Sequence, residues 1–457
     1  MSFPGATTRS FAIGMLWLAT GGHAGRATAQ KPDIAAAIDT YMNAGAKVGQ
    51  FSSAILVARR GEVVVSNGYG MANRELDIPI TPATVFRIAS ATKPFTATAI
   101  LLLQDRGKLA VTDAVCKYLT PCPPTWNALT IHHLLSHTGG VPDIVTFPDF
   151  ESLKISPTAP AALVARIAAR PLDFAPGAKF SYSNSGFILL GAIIERVSGV
   201  SYREFLKTNI FKVLDMSATD VDDATDVIKH RAAGYARRGG EPVNAPYVDM
   251  SVPFSAGSLH STVEDLYTFT QALLDGRLVS AKSLRAMTTP YLNDYGYGMM
   301  LRQEFGRPYV GHSGVIEGFT SFMARYPAED LTIVVLSNLG DAPSVKIAHD
   351  LAAIVFGQPY EVIAERQAIA INPNVLDAYV GEYERSPGRN LIITKKNDRL
   401  YMDFINRPTV ELFAESETKF FMKRVDVQIT FVTDAKGLVT QLILHQLGED
   451  IPVKKVK

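Results

Sequence analysis

The distribution of β-rich runs along the chain limits its fold more than any other feature. Residues 53–59 and 63–69 are strand-like and flank Arg60-Gly61-Glu62, a hairpin signal. Three further strand-like runs come much later, at 297–302, 321–325 and 331–337. Between the two groups the periodicity is helical. One pattern runs from Ser90 to about Asp105 and stops before Gly107. Others cover 131–135, an apolar stretch at 187–197 and an amphipathic one at 263–274. A short helix is expected at 34–42 and another at 345–356. The order predicts an α+β fold: an antiparallel sheet drawn from both ends of the segment, with flanking helices and an inserted helical region.

The texture changes near residue 360. Short alternating runs follow at 391–394, 399–404, 409–413, 419–424, 427–432 and 439–445. A spacing of about ten residues predicts a small C-terminal all-β barrel or sandwich. The expected organisation is a signal peptide at 1–29, a first domain at 30–357, a linker at 358–372 and a β domain at 373–457.

The N-terminal expectation rests on Arg9, the apolar run 11–18 and Ala27-Thr28-Ala29, a small-x-small cleavage pattern that would leave Gln30 first. The run is too short to span a bilayer, and no later stretch is long and apolar enough, so no transmembrane anchor is expected. A periplasmic or secreted protein is the consequence. Cys116 and Cys122 either close a small loop in an oxidising compartment or remain two thiols; the spacing leaves both open. It is not a redox motif, and no His pair accompanies it, so no metal is expected. Lys plus Arg number 45 against 44 Asp plus Glu in 457 residues. That balance argues against a nucleic-acid partner.

The chemistry-bearing candidate is Ser90-Ala91-Thr92-Lys93. A serine hydroxyl needs a base, and a Lys three residues on shares its helical face. Desolvation of Lys93 would lower its pKa and make it that base. In a first helical turn the Ser90 N–H would also be free to stabilise an oxyanion. The pattern is loose: Ser416-Glu417-Thr418-Lys419 repeats it in the β-rich tail. Tyr182-Ser183-Asn184 lies on a loop before an apolar helix, where a phenol and an amide could serve a substrate. Tyr41-Met42-Asn43 and Tyr291-Leu292-Asn293 share that spacing. Gly311-His312-Ser313-Gly314 lies between strand-like runs, where His312 is a catalytic candidate that could orient substrate or assist proton transfer, with His137-Thr138-Gly139 as its rival.

Taken in order, SxxK, YxN and HxG resemble the serine β-lactamase and penicillin-binding-protein superfamily, in its class C β-lactamase, D-alanyl-D-alanine peptidase and esterase branch. Leu134-Leu135-Ser136-His137-Thr138-Gly139-Gly140 and Tyr295-Gly296-Tyr297-Gly298 add to the likeness. The resemblance implies that Ser90 is the acylated nucleophile and that Lys93 and Tyr182 activate it and pass its proton on. It implies that Asn184 contacts the substrate amide and that His312, Ser313 and Gly314 lie on the strand edging the cleft. The N–H groups of Ser90 and Val315 would form the oxyanion hole, and no cofactor is implied. The C-terminal segment resembles the lipocalin-like domain appended to many such hydrolases.

Two departures bear on the substrate. Relatives that hydrolyse β-lactams usually carry Lys-Thr-Gly where this chain has His312-Ser313-Gly314, which replaces a permanent cation with a mostly neutral ring. Ser255-Ala256-Gly257-Ser258-Leu259 stands where relatives often show paired glycines. The expectation is a serine hydrolase acting on esters, amides or D-amino-acid peptides, with a small-molecule or peptide substrate and a possible homo-oligomeric state. The alternatives are a β-lactamase and a non-turnover penicillin-binding or sensing protein.

Overall fold

The computed structural model describes residues 33–238, 240–360, 367–386, 389–404, 409–422, 427–446 and 449–457. The expected signal peptide, 1–29, lies outside the described residues.

Helix α1 (Ile34–Lys47) runs one turn beyond the expected 34–42. Strands β1 (Ser53–Arg59) and β2 (Glu62–Tyr69) form the hairpin read from the sequence. Four later strands complete the sheet: β3 (Met300–Glu304), β4 (Arg307–Ile316), β5 (Phe319–Tyr326) and β6 (Leu331–Ser337). The order is β3-β4-β5-β6-β1-β2, antiparallel between neighbours. The strand expected at 297–302 starts later, at Met300, because Gly298 turns the chain with φ +65. β4 was not legible as a strand, since Gly311, Ser313 and Gly314 dilute its β-forming residues.

Alternation on β1 and β6 sends side chains to two cores. Ile55, Val57, Ile333 and Val335 meet α1 and helix α6 (Ser344–Phe356) on one face. Leu56, Val334 and Leu336 meet the helical region on the other. Strands buried on both faces read as continuous apolar runs, which is why 331–337 is so legible. The helical region is built around α2 (Lys93–Asp105) and α4 (Asn184–Ser198), both buried nearly all round, with α3 (Ile131–Leu135) and α5 (Val263–Leu274) against them. Each fully buried Leu, Ile or Phe here contributes on the order of 1.5–3 kcal/mol.

The C-terminal segment is a closed antiparallel barrel of eight strands, β7 (Gly381–Ser386) to β14 (Glu449–Lys455). Its first and last strands were not among the runs expected, and part of 419–424 lies outside the described residues. The barrel interior is filled by its own residues, including Tyr383, Ile393, Met402, Ile429, Leu442 and Val453. Cys116 and Cys122 form a disulfide, which settles the alternative that the spacing left open. Among the described residues no helix is long and apolar enough to cross a membrane, and no cluster of metal ligands occurs.

Candidate active site

Ser90 enters the site on a 3-10 turn, Ala89–Thr92, that runs directly into α2. Pro94 fits this first turn because its missing N–H would have no helical partner there. Lys93 is fully buried at 0% exposure. Its Nζ lies 2.9 Å from Ser90 Oγ, 2.9 Å from Asn184 Oδ1 and 2.8 Å from the Ala256 carbonyl. Burial lowers its pKa to about 7, with the Asp143 carboxylate opposing the shift. The three oxygens can accept all three N–H bonds of the ammonium; in the neutral amine two N–H bonds go to the two carbonyl oxygens and the lone pair takes the serine O–H.

Tyr182 sits on the loop ahead of α4, 37% exposed along one edge. Lys93 Nζ lies 4.8 Å from its ring centroid, and Ser90 is near enough to the hydroxyl to influence its pKa. Burial pushes the phenol pKa up, and the Ser90 contact opposes this only in part, so Tyr182 is a neutral O–H near pH 7. Asn184 begins α4, whose N-cap is Ser183. Its amide is held at both ends: Oδ1 accepts from Lys93, and Nδ2 donates to Asp143 Oδ2 at 3.1 Å. The Asn184 backbone N–H also donates to Asp143 Oδ1 at 3.1 Å.

β4 supplies the opposite wall. β3 pairs with it only from Arg307 to Gly311, which leaves the edge from His312 to Ile316 facing the cleft. A Cβ on Gly314 would stand 2.3 Å from the Ile88 carbonyl and 2.9 Å from Ser90 N. Only glycine permits that approach, and it brings the Val315 backbone beside the nucleophile. The Val315 side chain is 70% exposed, and Ser313 lies on the same edge.

His312 is buried and does not hydrogen-bond to Ser90, Lys93 or Tyr182. Its Nδ1 lies 2.6 Å from the Ser313 carbonyl, which places the proton there. Nε2 then accepts from the Tyr295 hydroxyl at 2.9 Å. Burial, with the Lys93 charge adding to it, lowers the His312 pKa to about 3. The rival His137 also belongs to this cluster. Its ring lies 4.3 Å from that of Tyr182, and its Nδ1 accepts from Ser183 N at 3.2 Å. Burial holds it neutral as well.

The sequence reading did not single out Asp143, Tyr295 or the Ala256 carbonyl. Each has only an indirect signal: Asp143 follows the His137–Gly140 loop, while Tyr295 and Ala256 fall in segments of the resemblance with no role attached. The duplicate at Ser416 is a surface turn, where Lys419 N donates to Ser416 Oγ at 3.0 Å and Lys419 Nζ pairs with Glu415. Tyr41 is a core residue bonded to Asp350, and Tyr291 stacks on Tyr297. Three non-glycine residues around Lys93 take left-handed φ: Ala89 at +49, His137 at +56 and Phe254 at +42. Such conformations cost about 1–3 kcal/mol each and gather at functional sites.

Comparison with known proteins gives a consistent picture. Residues 34–356 match the beta-lactamase family model, and residues 365–455 match DUF3471, a domain of unknown function. A penicillin-binding protein of Bacillus subtilis (strain 168) is 32% identical over 435 residues, covering 89% of this chain and 96% of that protein. The octameric penicillin-binding protein homologue from Pyrococcus abyssi superposes with a TM-score of 0.66 at 25% identity, over 92% of this chain and 99% of that one. The D-amino acid amidase from Ochrobactrum anthropi, in complex with D-phenylalanine, gives 0.63 at 25% identity, over 71% of this chain and 99% of that one.

Proposed function

Because the chain belongs to the beta-lactamase family of serine hydrolases, we propose that it hydrolyses esters or amides, including D-amino-acid peptides, through an acyl-enzyme on Ser90. The carrying observation is Lys93, buried, its pKa lowered to about 7 and its Nζ 2.9 Å from Ser90 Oγ. Its amine takes the Ser90 proton as Oγ attacks the carbonyl carbon. The N–H groups of Ser90 and Val315 receive the developing oxyanion, an interaction whose loss typically costs 10²–10³ in kcat. Tyr182, as a neutral phenol, relays a proton to the departing oxygen or nitrogen. Water then attacks the acyl carbon, the same two residues take its proton, and the bond to Ser90 Oγ breaks as that proton is returned to Oγ, releasing the acid.

Asn184, fixed by Lys93 and Asp143, retains one amide hydrogen for a substrate carbonyl. His312 orients Tyr295 and the β4 edge rather than exchanging protons. Its neutrality removes the cation expected to hold a β-lactam carboxylate, which favours ester or peptide chemistry over antibiotic hydrolysis.

The test is a panel of p-nitrophenyl esters, D-amino-acid p-nitroanilides, D-Ala-D-Ala peptides and nitrocefin. Wild type is expected to turn over an ester or D-aminoacyl substrate, and Ser90→Ala to lose at least about 10³-fold. Full turnover by Ser90→Ala would overturn the assignment. Steady nitrocefin turnover would favour a β-lactamase, and a burst without turnover a sensor. Export fits the Ala27–Ala29 pattern and the disulfide; a mature N-terminus at Gln30 is its test. Self-association finds support in the octameric relative and is read by light scattering.

A further inference from the structure

We propose that the ion pair between Lys154 and Glu317 is a charge filter on the acyl side of the Ser90 site, selecting compact, uncharged, apolar acyl groups. The inference rests on the serine-hydrolase reading above. A cavity of about 190 Å³ opens beside Ser90 and Asn184, walled by Ile144, Phe150, Ile188, Val248 and Val252. An apolar cavity of about 150 Å³ is enough to hold benzene. The space therefore suits a benzyl or branched aliphatic group.

Tyr182, the proton donor to the leaving group, is not among these walls. The cavity thus holds the part of the substrate that stays on the serine.

The two charged residues in the smaller wall are Lys154 and Glu317. Lys154 follows the short helix Phe150–Leu153, and Glu317 follows the end of β4. The pair therefore ties the helical region to the sheet across the cavity. Lys154 Nζ lies 2.9 Å from Glu317 Oε1 and 2.8 Å from the exposed Glu151. Only 14% of the Lys154 side chain and 23% of that of Glu317 reach solvent. A substrate carboxylate would have to displace Glu317 from Lys154, and an ammonium would have to displace Lys154 from Glu317. The first exchange leaves the poorly hydrated Glu317 without its partner, and the second leaves Lys154 with only the exposed Glu151, which is costly. An uncharged apolar group disturbs neither.

The experiment holds the leaving group constant and varies the acyl charge, using the p-nitrophenyl esters of butyrate, glutarate (monoester) and 6-aminohexanoate. Wild type is expected to favour butyrate over each charged ester by about 100-fold in kcat/KM. Glu317→Gln, which leaves Lys154 paired only with the exposed Glu151, narrows the butyrate-to-glutarate ratio by about tenfold, and Lys154→Met narrows the butyrate-to-aminohexanoate ratio similarly. Ratios within one variant cancel any loss of folded enzyme. A wild-type ratio near one, or ratios unchanged in both variants, overturns the filter while leaving the serine chemistry intact. Absence of turnover with every ester overturns both.

Discussion

At the residue scale, the proposed mechanism makes Lys93 the group that sets the working pH. Its pKa of about 7 makes it half protonated near neutrality. As pH falls below that value the ammonium predominates and the base is lost, so kcat/KM should fall about tenfold per unit on the acid side. Around the amine stand Asp143, Tyr182, His137, His312 and Tyr295. Burial keeps both histidines neutral and both phenols protonated, so Asp143 is the charge that matters. Its carboxylate raises the Lys93 pKa against burial. Asp143→Asn should therefore move the acid limb to lower pH by about one unit. The same change loosens Asn184, which donates two of its hydrogen bonds to Asp143, so the plateau rate should fall too. A pH profile of kcat/KM for wild type and variant checks both effects.

At the element scale, the site depends on how closely β4 approaches the turn carrying Ser90. Three contacts fix that distance: Ser321 Oγ donates to the Ile88 carbonyl at 2.7 Å, the Ile88 N–H bonds to Leu259, and Gly314 has no side chain to intervene. Gly314→Ala would push backbone against backbone, because the atoms it meets include the Ile88 carbonyl and Ser90 N. The oxyanion gap should widen and kcat should fall about 10²-fold or more, with KM less affected. Steady-state kinetics beside a thermal melt would separate this from simple unfolding. The strands and helices were largely legible because β1, β6, α2 and α4 each carry a long apolar run. β4 was not, because its job of approaching a substrate requires Gly311, Ser313 and Gly314, which weaken a strand signal.

At the scale of the whole molecule, the sheet-and-helix cores and the barrel core are composed of separate residues, with the barrel cluster drawn from Ile371 onward. A chain ending at Gly357 is therefore expected to fold and to retain ester turnover within about threefold, as independent cores allow. Circular dichroism and a p-nitrophenyl acetate assay would test this. The sequence by itself determined the α+β plan, the change to short strands near residue 360 and the candidate nucleophile with its candidate base. Those features are written in local periodicity and spacing, which need no tertiary information. The three motifs in order were needed to choose Ser90 over Ser416. Only the tertiary structure decided which oxygens surround Lys93, that Asp143 stands behind Asn184, and that His312 turns toward Tyr295. It also decided that His137 and His312, rivals in the sequence, flank one site. The physical reason is the same in each case. Burial and hydrogen-bond partners set the charge of these groups, and both depend on residues distant in the chain that only the packed fold brings together.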